Sequence, residues 1–451
     1  MREFKQLLQE REVQAVDVKV CDLSGRWRHL TFPTGSFLTV AEQGVGVDAS
    51  NYGLSSVARS DARLLFDTGT VHAEPFAPVP TLGVIGQLAD SRGALLPEDP
   101  RGVAQRAEVF LNSTGVADAS LWLPELEWYV FQDMRLALST YEVATQVIPY
   151  EGLTGTPCEV APTGYHSIPP ADRLCSLRAR LTALLAEAGY PVKYHHHEVG
   201  AGGQIEIELA MGGLVKSGDA VMMAKYLARN LARQDGLVAN FMPKPLRGQP
   251  GNGMHVHVSL LKSGSNSFVG PEYTGLSRTA LQFIGGILLH AEALCAFCNP
   301  STNSYRRLAA GQEAPASRSF GAQNRSAAVR VPGYASGRVE YRPLDATANP
   351  YLAYAAILMA GLDGIRKVID PTAEGFGPFE VDLDQNAGAA PRLPATLQQA
   401  LDCLERDHEF LLEGEVFPPS LISAWLERKR AECREIGEWP HPWELAVYGD
   451  L

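Results

Sequence analysis

The chain has 451 residues, 45% of them hydrophobic and 20% charged, which is ample for large cores and more than one ordinary domain needs. Its 39 Lys plus Arg against 51 Asp plus Glu leave a formal net charge of -12, arguing against electrostatic attraction to nucleic acid or an anionic membrane surface, though not against a local basic pocket. The seven cysteines suit core positions in a reduced cytosolic chain, the start MREFKQLLQEREVQ is too polar for a signal peptide, and no run of about 18 apolar residues offers a membrane span.

In chain order, residues 3–14 predict a short amphipathic helix. VQAVDVKVCDLSG and RWRHLTFP predict a hairpin through the Asp-Leu-Ser-Gly turn, and ARLLFD and TVHAEPF predict two strands separated by Thr-Gly-Thr. The stretch DSRGALLPEDPRG closes this strand-rich unit and divides the chain into domains 1–103 and 104–451. Beyond it, LWLPELEWYVF predicts a strand and LCSLRARLTALLAEAG a helix stopped by Gly189. KYHHHEVGAGGQIEIELA holds strands around a glycine loop, DAVMMAKYLARNLARQDG is helical, and HVHVSL is a strand. RTALQFIGGILLHAEALCAF and NPYLAYAAILMAGLDGIRKVI each predict a helix. AEGFGPFEVDLDQNAGAAPR reads as loop before the helical PATLQQALDCLERDHEF and LISAWLERKRAEC. Helices and antiparallel-looking strands in separate blocks predict an α+β fold.

Residues two apart on a strand share a face. Glu125 and Glu127 therefore point one way and Leu126 and Trp128 the other. Gln204, Glu206 and Glu208 align, as do His255, His257 and Ser259, and Arg338, Glu340 and Arg342. Any one of these alternations fits a sheet with a wet face. Four of them, carrying almost only Glu, His and Arg, point to one cavity where metal and phosphate neutralise the charges. Carboxylates with an imidazole suit Mg²⁺ or Mn²⁺, and without a cysteine cluster or His-Glu-x-x-His helix a zinc protease has little support. Arg325, Arg330, Arg338 and Arg342 offer forked donors to carboxylate or phosphate oxygens. Glycines in RGQPGNGMHVH, and Gly200, Gly202 and Gly203, allow close backbone approach to a ligand. The residues alone thus describe a metal-dependent enzyme handling an anionic, phosphorylated substrate, without a Gly-Lys-Ser phosphate loop or a kinase signature.

The stretches HHEVGAGGQIEI, NFMPKPLRGQPGNGMHVHVSL, NPSTNSYRRLAAGQEAP, NRSAAVRVP, RVEYRPLDATANPYLA and HPWELAVY, in this order, resemble the prokaryotic-type (type I) glutamine synthetase family, which includes γ-glutamyl-amine ligase relatives. The resemblance implies a small N-terminal β-grasp-like domain before a large catalytic domain with a curved antiparallel sheet. It also implies active sites between subunits of a cytoplasmic homo-oligomer, a dodecamer of two stacked hexamers. The implied reaction phosphorylates the γ-carboxylate of L-glutamate with ATP, after which ammonia displaces phosphate to give glutamine. By motif, two or three Mg²⁺ or Mn²⁺ ions per site would be held by Glu127, Glu198 and Glu206, and by Glu125, His255 and Glu340. Arg307, Arg342, His255 and Gly251 would contact glutamate and the transferring phosphate; Arg325, Arg330, Arg338, His257 and Ser259 would contact the nucleotide. Glu313 resembles a flap residue that closes the site and takes a proton from the amine, and Asp48 resembles an aspartate that reaches a neighbouring site to bind ammonium. His195, His196 and His197 are supporting residues on this reading.

Four departures qualify the match. Asp48 is followed by Ala-Ser-Asn rather than Gly-Ser-Ser, which opens an alternative: a γ-glutamyl ligase using a substituted amine such as methylamine, ethanolamine or a polyamine. Asn252 stands where serine is usual, the segment between Arg330 and Arg338 is short and lacks a lysine, and residues 370–392 contain no tyrosine to adenylylate. A non-catalytic assembly protein with the same fold is the remaining reading, disfavoured because every expected metal ligand is present.

Overall fold

The computed structural model describes residues 2–151, 164–309, 314–333, 336–386, 388–442, 444 and 447. Its N-terminal part opens with α1 (Arg2–Glu10), then β1 (Ala15–Cys21) and β2 (Trp27–Pro33), paired antiparallel across the expected turn. Gly25 in that turn has φ +79, and a Cβ there would lie 2.9 Å from the Asn349 backbone, so only glycine lets the hairpin dock on the larger domain. After α2 (Thr34–Val40), the strands β3 (Val45–Asp48), β4 (Asp61–Ala73) and β5 (Thr81–Ala89) complete the order β2-β1-β5-β4-β3. β1 and β5 run parallel and the other neighbours antiparallel.

The two strands expected around Thr-Gly-Thr are one strand, β4, with a bulge between Asp67 and His72. The Asp67 carboxylate accepts from Gly69 N at 3.0 Å, and Thr70 Oγ1 accepts from Ile85 N at 2.8 Å. These bonds satisfy the extra residues locally, so the ladder resumes instead of ending.

The larger part begins with α3 (Pro100–Thr114), β6 (Ala119–Ser139), β7 (Glu142–Pro149), α4 (Cys175–Glu187), β8 (Val192–His197) and β9 (Gln204–Leu209). It continues through α5 (Leu214–Gln234), β10 (Val238–Asn240), β11 (Met254–Lys262) and β12 (Ser265–Asn266). Then follow α6 (Arg278–Leu289), α7 (Ala291–Cys298), α8 (Ser304–Arg307), β13 (Phe320–Ala322), β14 (Val329–Val331) and β15 (Val339–Tyr341). α9 (Pro350–Arg366), α10 (Leu397–Arg406), α11 (Glu409–Leu412) and α12 (Pro419–Gly437) end it. Among the described residues the curved sheet runs β13-β14-β15-β11-β6-β9-β8, with β7 and β10 also on β6 and β12 on β11; only β13 and β14 pair in parallel.

Leu126, Trp128, Val256, Val258, Ile205 and Ile207 are fully buried on the apolar face of this sheet. Trp122 stacks on Tyr354 of α9 at 5.1 Å and Trp128 on Phe241 at 5.3 Å. At ~25 cal/mol per Å² and roughly 200 Å² per indole, each tryptophan contributes on the order of 5 kcal/mol. A one-residue slip of β6 would expose both and bury the acidic positions in their place, so the packing pins which face carries Glu125 and Glu127. Buried polar bonds tie the small sheet to the helices. Arg101 holds Asp219 through two bonds of 2.9 Å and Asp67 of β4 at 2.9 Å, and Tyr351 donates to Asp219 at 2.6 Å.

The single helix expected over RTALQFIGGILLHAEALCAF is two, α6 and α7, bent by 74°. His290 sits at the bend, its ring nitrogens held by Asp363 and Asp407 at 2.9 Å each. Cys295 and Cys298 are fully buried core residues, and the six cysteines among the described residues are free. Among the described residues no single helix is long and apolar enough to cross a membrane.

α6 and α9 cross closely because glycines face each other. A Cβ on Gly286 would strike the Ala360 carbonyl and sit 2.7 Å from Gly364 Cα; one on Gly364 would strike the Gln282 carbonyl. Gly364→Val is expected to lower unfolding stability by at least ~1–3 kcal/mol. Gly388→Ala, with open space around the added methyl, should stay within ~0.5 kcal/mol. Urea titration of both variants checks the pair, and equal midpoints would contradict the close crossing.

Candidate active site

Strand register assembles the polar face. His255 of β11 lies opposite Glu125 of β6, and Glu206 of β9 opposite Glu127. His196 of β8 lies opposite Glu206, and Glu340 of β15 opposite His257. Glu198 stands one residue beyond β8, its N–H donating to the Gln204 carbonyl at 2.8 Å. Glu125, Glu127, His196, Glu198, Glu206 and His255 wall a cavity of about 580 Å³ that Arg307, Arg325, Arg330, Arg342 and Gly251 also line, with Glu340 and His257 just behind it.

Among the described residues, two groups each bring their potential ligand atoms within 4.8 Å of one another: Glu125, His257 and Glu340, and His196, Glu198 and Glu206. The expected set of Glu125, His255 and Glu340 is also adjacent, with His255 Nδ1 at 3.3 Å from Glu125 and 3.9 Å from Glu340. The same nitrogen is 3.7 Å from Glu127. His257 comes nearer to Glu125, at 2.7 Å, and its other nitrogen receives Arg338 Nε at 3.2 Å. His257, Ser259 and Arg338 do not line the cavity.

Charge is balanced differently at the two ends. Glu340 is fully buried, yet Arg342 Nη1 at 2.6 Å and the Arg330 guanidinium hold it. Burial works against its charge, but Arg342, His257 and Arg330 win and press its pKa down to about 2. Burial likewise opposes the Glu125 carboxylate, and His255 and His257 overcome it. At the other end arginine is not the partner. Burial, with Glu127 and Glu206 nearby, pushes Glu198 up to about 8, and burial with neighbouring carboxylates pushes Glu206 to about 7. Among the described residues Glu198 Oε2 is buried without a hydrogen bond, although His196 Nδ1 approaches to 3.5 Å. Hard oxygen donors, one of them orphaned, in a cluster short of positive charge fit a divalent cation of the Mg²⁺ or Mn²⁺ type.

Arg307 is buried and braced by carbonyls: Nη1 donates to Pro343 O at 2.7 Å and Nη2 to Arg342 O at 3.2 Å. The glycines beside it are needed for close approach. A Cβ on Gly251 would lie 2.6 Å from Pro243 O, and one on Gly253 2.7 Å from Arg307 Nη2. Gly253 N donates to Glu127 Oε2 at 2.7 Å. Asn252 is fully buried between them as a strut, donating to Met242 O at 2.7 Å and accepting from Gln204 Nε2 at 3.0 Å.

Asp48 does not line the cavity. It is exposed at the end of β3, with one carboxylate oxygen accepting from Ser50 N and Oγ and the other from Asn51 Nδ2 at 2.9 Å. Glu313 lies outside the described residues. The cavity includes His196, which the sequence reading gives only a supporting role, and Tyr194 and Tyr165, which it does not single out. Parity offered a signal for the first two, which share one face of β8, but pairing with β9 decides that this face meets Glu206. Tyr165 sits in a loop with no pattern to reveal it.

Residues 97–448 match the family description "Glutamine synthetase, catalytic domain", and residues 12–91 "Glutamine synthetase, beta-Grasp domain". A glutamine synthetase of Frankia alni is 41% identical over 467 residues, covering 98% of each chain. One of Aquifex aeolicus (strain VF5) is 40% identical over 468 residues, covering 100% of this chain and 98% of that protein. Among solved structures, one described as apo GmaS without ligand superposes with a TM-score of 0.86 at 27% identity, covering 100% of both chains.

The raised carboxylates set a pH dependence. Glu198 and Glu206 keep protons in the folded, ion-free site up to about pH 8 and 7, and a bound cation must displace them. Mn²⁺ affinity should therefore rise with pH between about 6 and 8.5, with proton release detectable by calorimetry in buffers of different ionisation enthalpy. Because the folded site binds protons that the unfolded chain releases, ion-free stability should fall over this range, and added Mn²⁺ should raise Tm more at the upper end. A pH-independent affinity would contradict the assignment.

Proposed function

The chain belongs to the glutamine synthetase family and is an ATP-dependent carbon–nitrogen ligase, and from that premise we propose that it joins ammonia to the γ-carboxylate of L-glutamate through a γ-glutamyl phosphate. The observation that carries this reading is one cavity in which Glu125, Glu127, Glu198 and Glu206 face Arg307, Arg325, Arg330 and Arg342.

In this reading Glu127, Glu198 and Glu206 hold one Mg²⁺ or Mn²⁺ position, and Glu125, His255 and Glu340 the second. Ions so bound supply Lewis acidity and neutralise charge on the phosphoryl oxygens. The protein's own part is positioning. Arg342, oriented by Glu340, and Arg307, braced on two carbonyls, grip the carboxylate and the transferring phosphate with donors that need no reorganisation. Arg325 and Arg330 take the phosphate side, and His257, Ser259 and Arg338 the nucleotide. An acyl phosphate hydrolyses readily, so water must be kept out while the amine arrives. Glu313 serves as closing residue and proton acceptor. Asp48, exposed on the small domain and away from its own cavity, serves a neighbouring subunit's site. This suits a dodecamer of two stacked hexamers in the cytoplasm, with the chain divided near residue 103.

One observation favours a second reading, in which a substituted amine replaces ammonia. Both Asp48 carboxylate oxygens are already engaged by Ser50 and Asn51, which weakens the residue as an ammonium ligand. Phosphate release measured with glutamate, ATP and a panel of ammonia, methylamine, ethanolamine and polyamines separates the two. Ammonia should be the preferred acceptor, and its ranking last would overturn the first reading.

Glu127→Ala and Glu340→Ala should each lower metal-dependent turnover by at least ~10²-fold, with the oligomer intact on sizing columns. Unchanged turnover in either variant would remove it from the site.

A further inference from the structure

Glu198 carries the orphaned carboxylate oxygen of the site, yet it stands one residue outside the β8–β9 ladder, whose last pair is His197 with Ile205. Its N–H is held by the Gln204 carbonyl of β9 at 2.8 Å, which leaves its carbonyl side to be fixed from elsewhere. The Glu198 carbonyl is met by His197 Nδ1 at 2.7 Å, and the opposite ring nitrogen, Nε2, is held by Glu151 Oε2 at 2.6 Å. Glu151 is 5% exposed and is itself pinned, its other oxygen accepting from Arg173 N at 2.7 Å. Gly164 packs closely beside the ring: a Cβ there would strike His197 Cε1 and Nδ1. Gly164 N also donates to Val199 O at 3.0 Å, and His166 N to His197 O at 3.0 Å, so the chain on both sides of Glu198 is tied to one neighbouring segment.

We infer that Glu151, which does not line the cavity, is a positioning residue for Glu198, acting through the His197 ring. The inference rests on the proposed reading of Glu198 as a metal ligand. It gives the third histidine of the His195–His197 run a definite task. His196 faces the cavity, His195 accepts from Arg178 Nε at 3.2 Å, and His197 transmits the anchorage of Glu151 to the ligand-bearing backbone. Outer partners that hold a ligand in its binding geometry typically matter 10–100-fold in metal affinity.

The test is Mn²⁺ calorimetry on the full-length protein, with thermal melts alongside. Glu198→Ala defines the affected ion position by abolishing or weakening it. Glu151→Ala should weaken binding at that same position by at least ~10-fold. Glu151→Gln should recover it to within about threefold, because an amide can still accept from Arg173 N while donating to His197 Nε2. A merely structural bridge would instead make Glu151→Gln and Glu151→Ala alike, or lower Tm without moving the affinity; either result overturns the inference, as does wild-type affinity in Glu151→Ala. If Glu151→Ala does not fold, His197→Gln takes its place under the same expectations. Unchanged Mn²⁺ binding in Glu198→Ala is a separate failure, that of the metal reading itself.

Discussion

Crowding of carboxylates on the concealed face of one sheet is the constraint from which the rest follows. Two like charges about 4 Å apart repel by about 4 kcal/mol at an effective dielectric near 20. A few such pairs equal the ~5–15 kcal/mol by which a whole domain is stable. Five carboxylates here therefore need compensation, and the chain supplies it unevenly. Glu340 and Glu125 lean on Arg342, Arg330 and two imidazoles and stay ionised. Glu198 and Glu206 have His196 but no arginine, and retain protons in the absence of a cation. One end of the cavity is thus electrically complete within the protein, while the other is built to be completed by something divalent.

Rigidity under that repulsion comes from the opposite face. Trp122 and Trp128 commit β6 to its orientation, the first against α9, which crosses α6 tightly through facing glycines, the second against Phe241. On the polar side, backbone groups do the holding. Arg307 is fixed by carbonyls, Glu127 by the Gly253 N–H, and Gln204 and Asn252 brace the glycine loop. A cationic side chain braced by neutral carbonyls keeps its full charge for a ligand, whereas one paired with a carboxylate is oriented by that partner and has part of its charge offset. Arg307 and Arg342 exemplify the two cases.

Much of this was legible before any coordinates. Alternation separated Glu125 and Glu127 from Leu126 and Trp128, and the turn residues placed the first hairpin. The failures share a cause. β4 was expected as two strands because a bulge satisfied by Thr70 and Asp67 looks like a turn in one dimension. At the break between α6 and α7, His290 is held by Asp363 and Asp407, far along the chain. The value of His196 lies in being opposite Glu206, and Asn252, a departure in sequence, is a strut because of its partners.

Residue chemistry and strand parity are properties of the chain alone, since each is read within a few consecutive positions. They established the fold class, the apolar and ionic faces, and the kind of centre those ionic residues build. Which acid meets which base was decided by register between strands and by loops returning from distant segments. No local pattern encodes that, because Coulomb and hydrogen-bond energies depend on distances that exist only after folding. The three consecutive histidines make the difference plain. Alike in sequence, they diverge in space to a cavity wall, a buried arginine and a brace against Glu151.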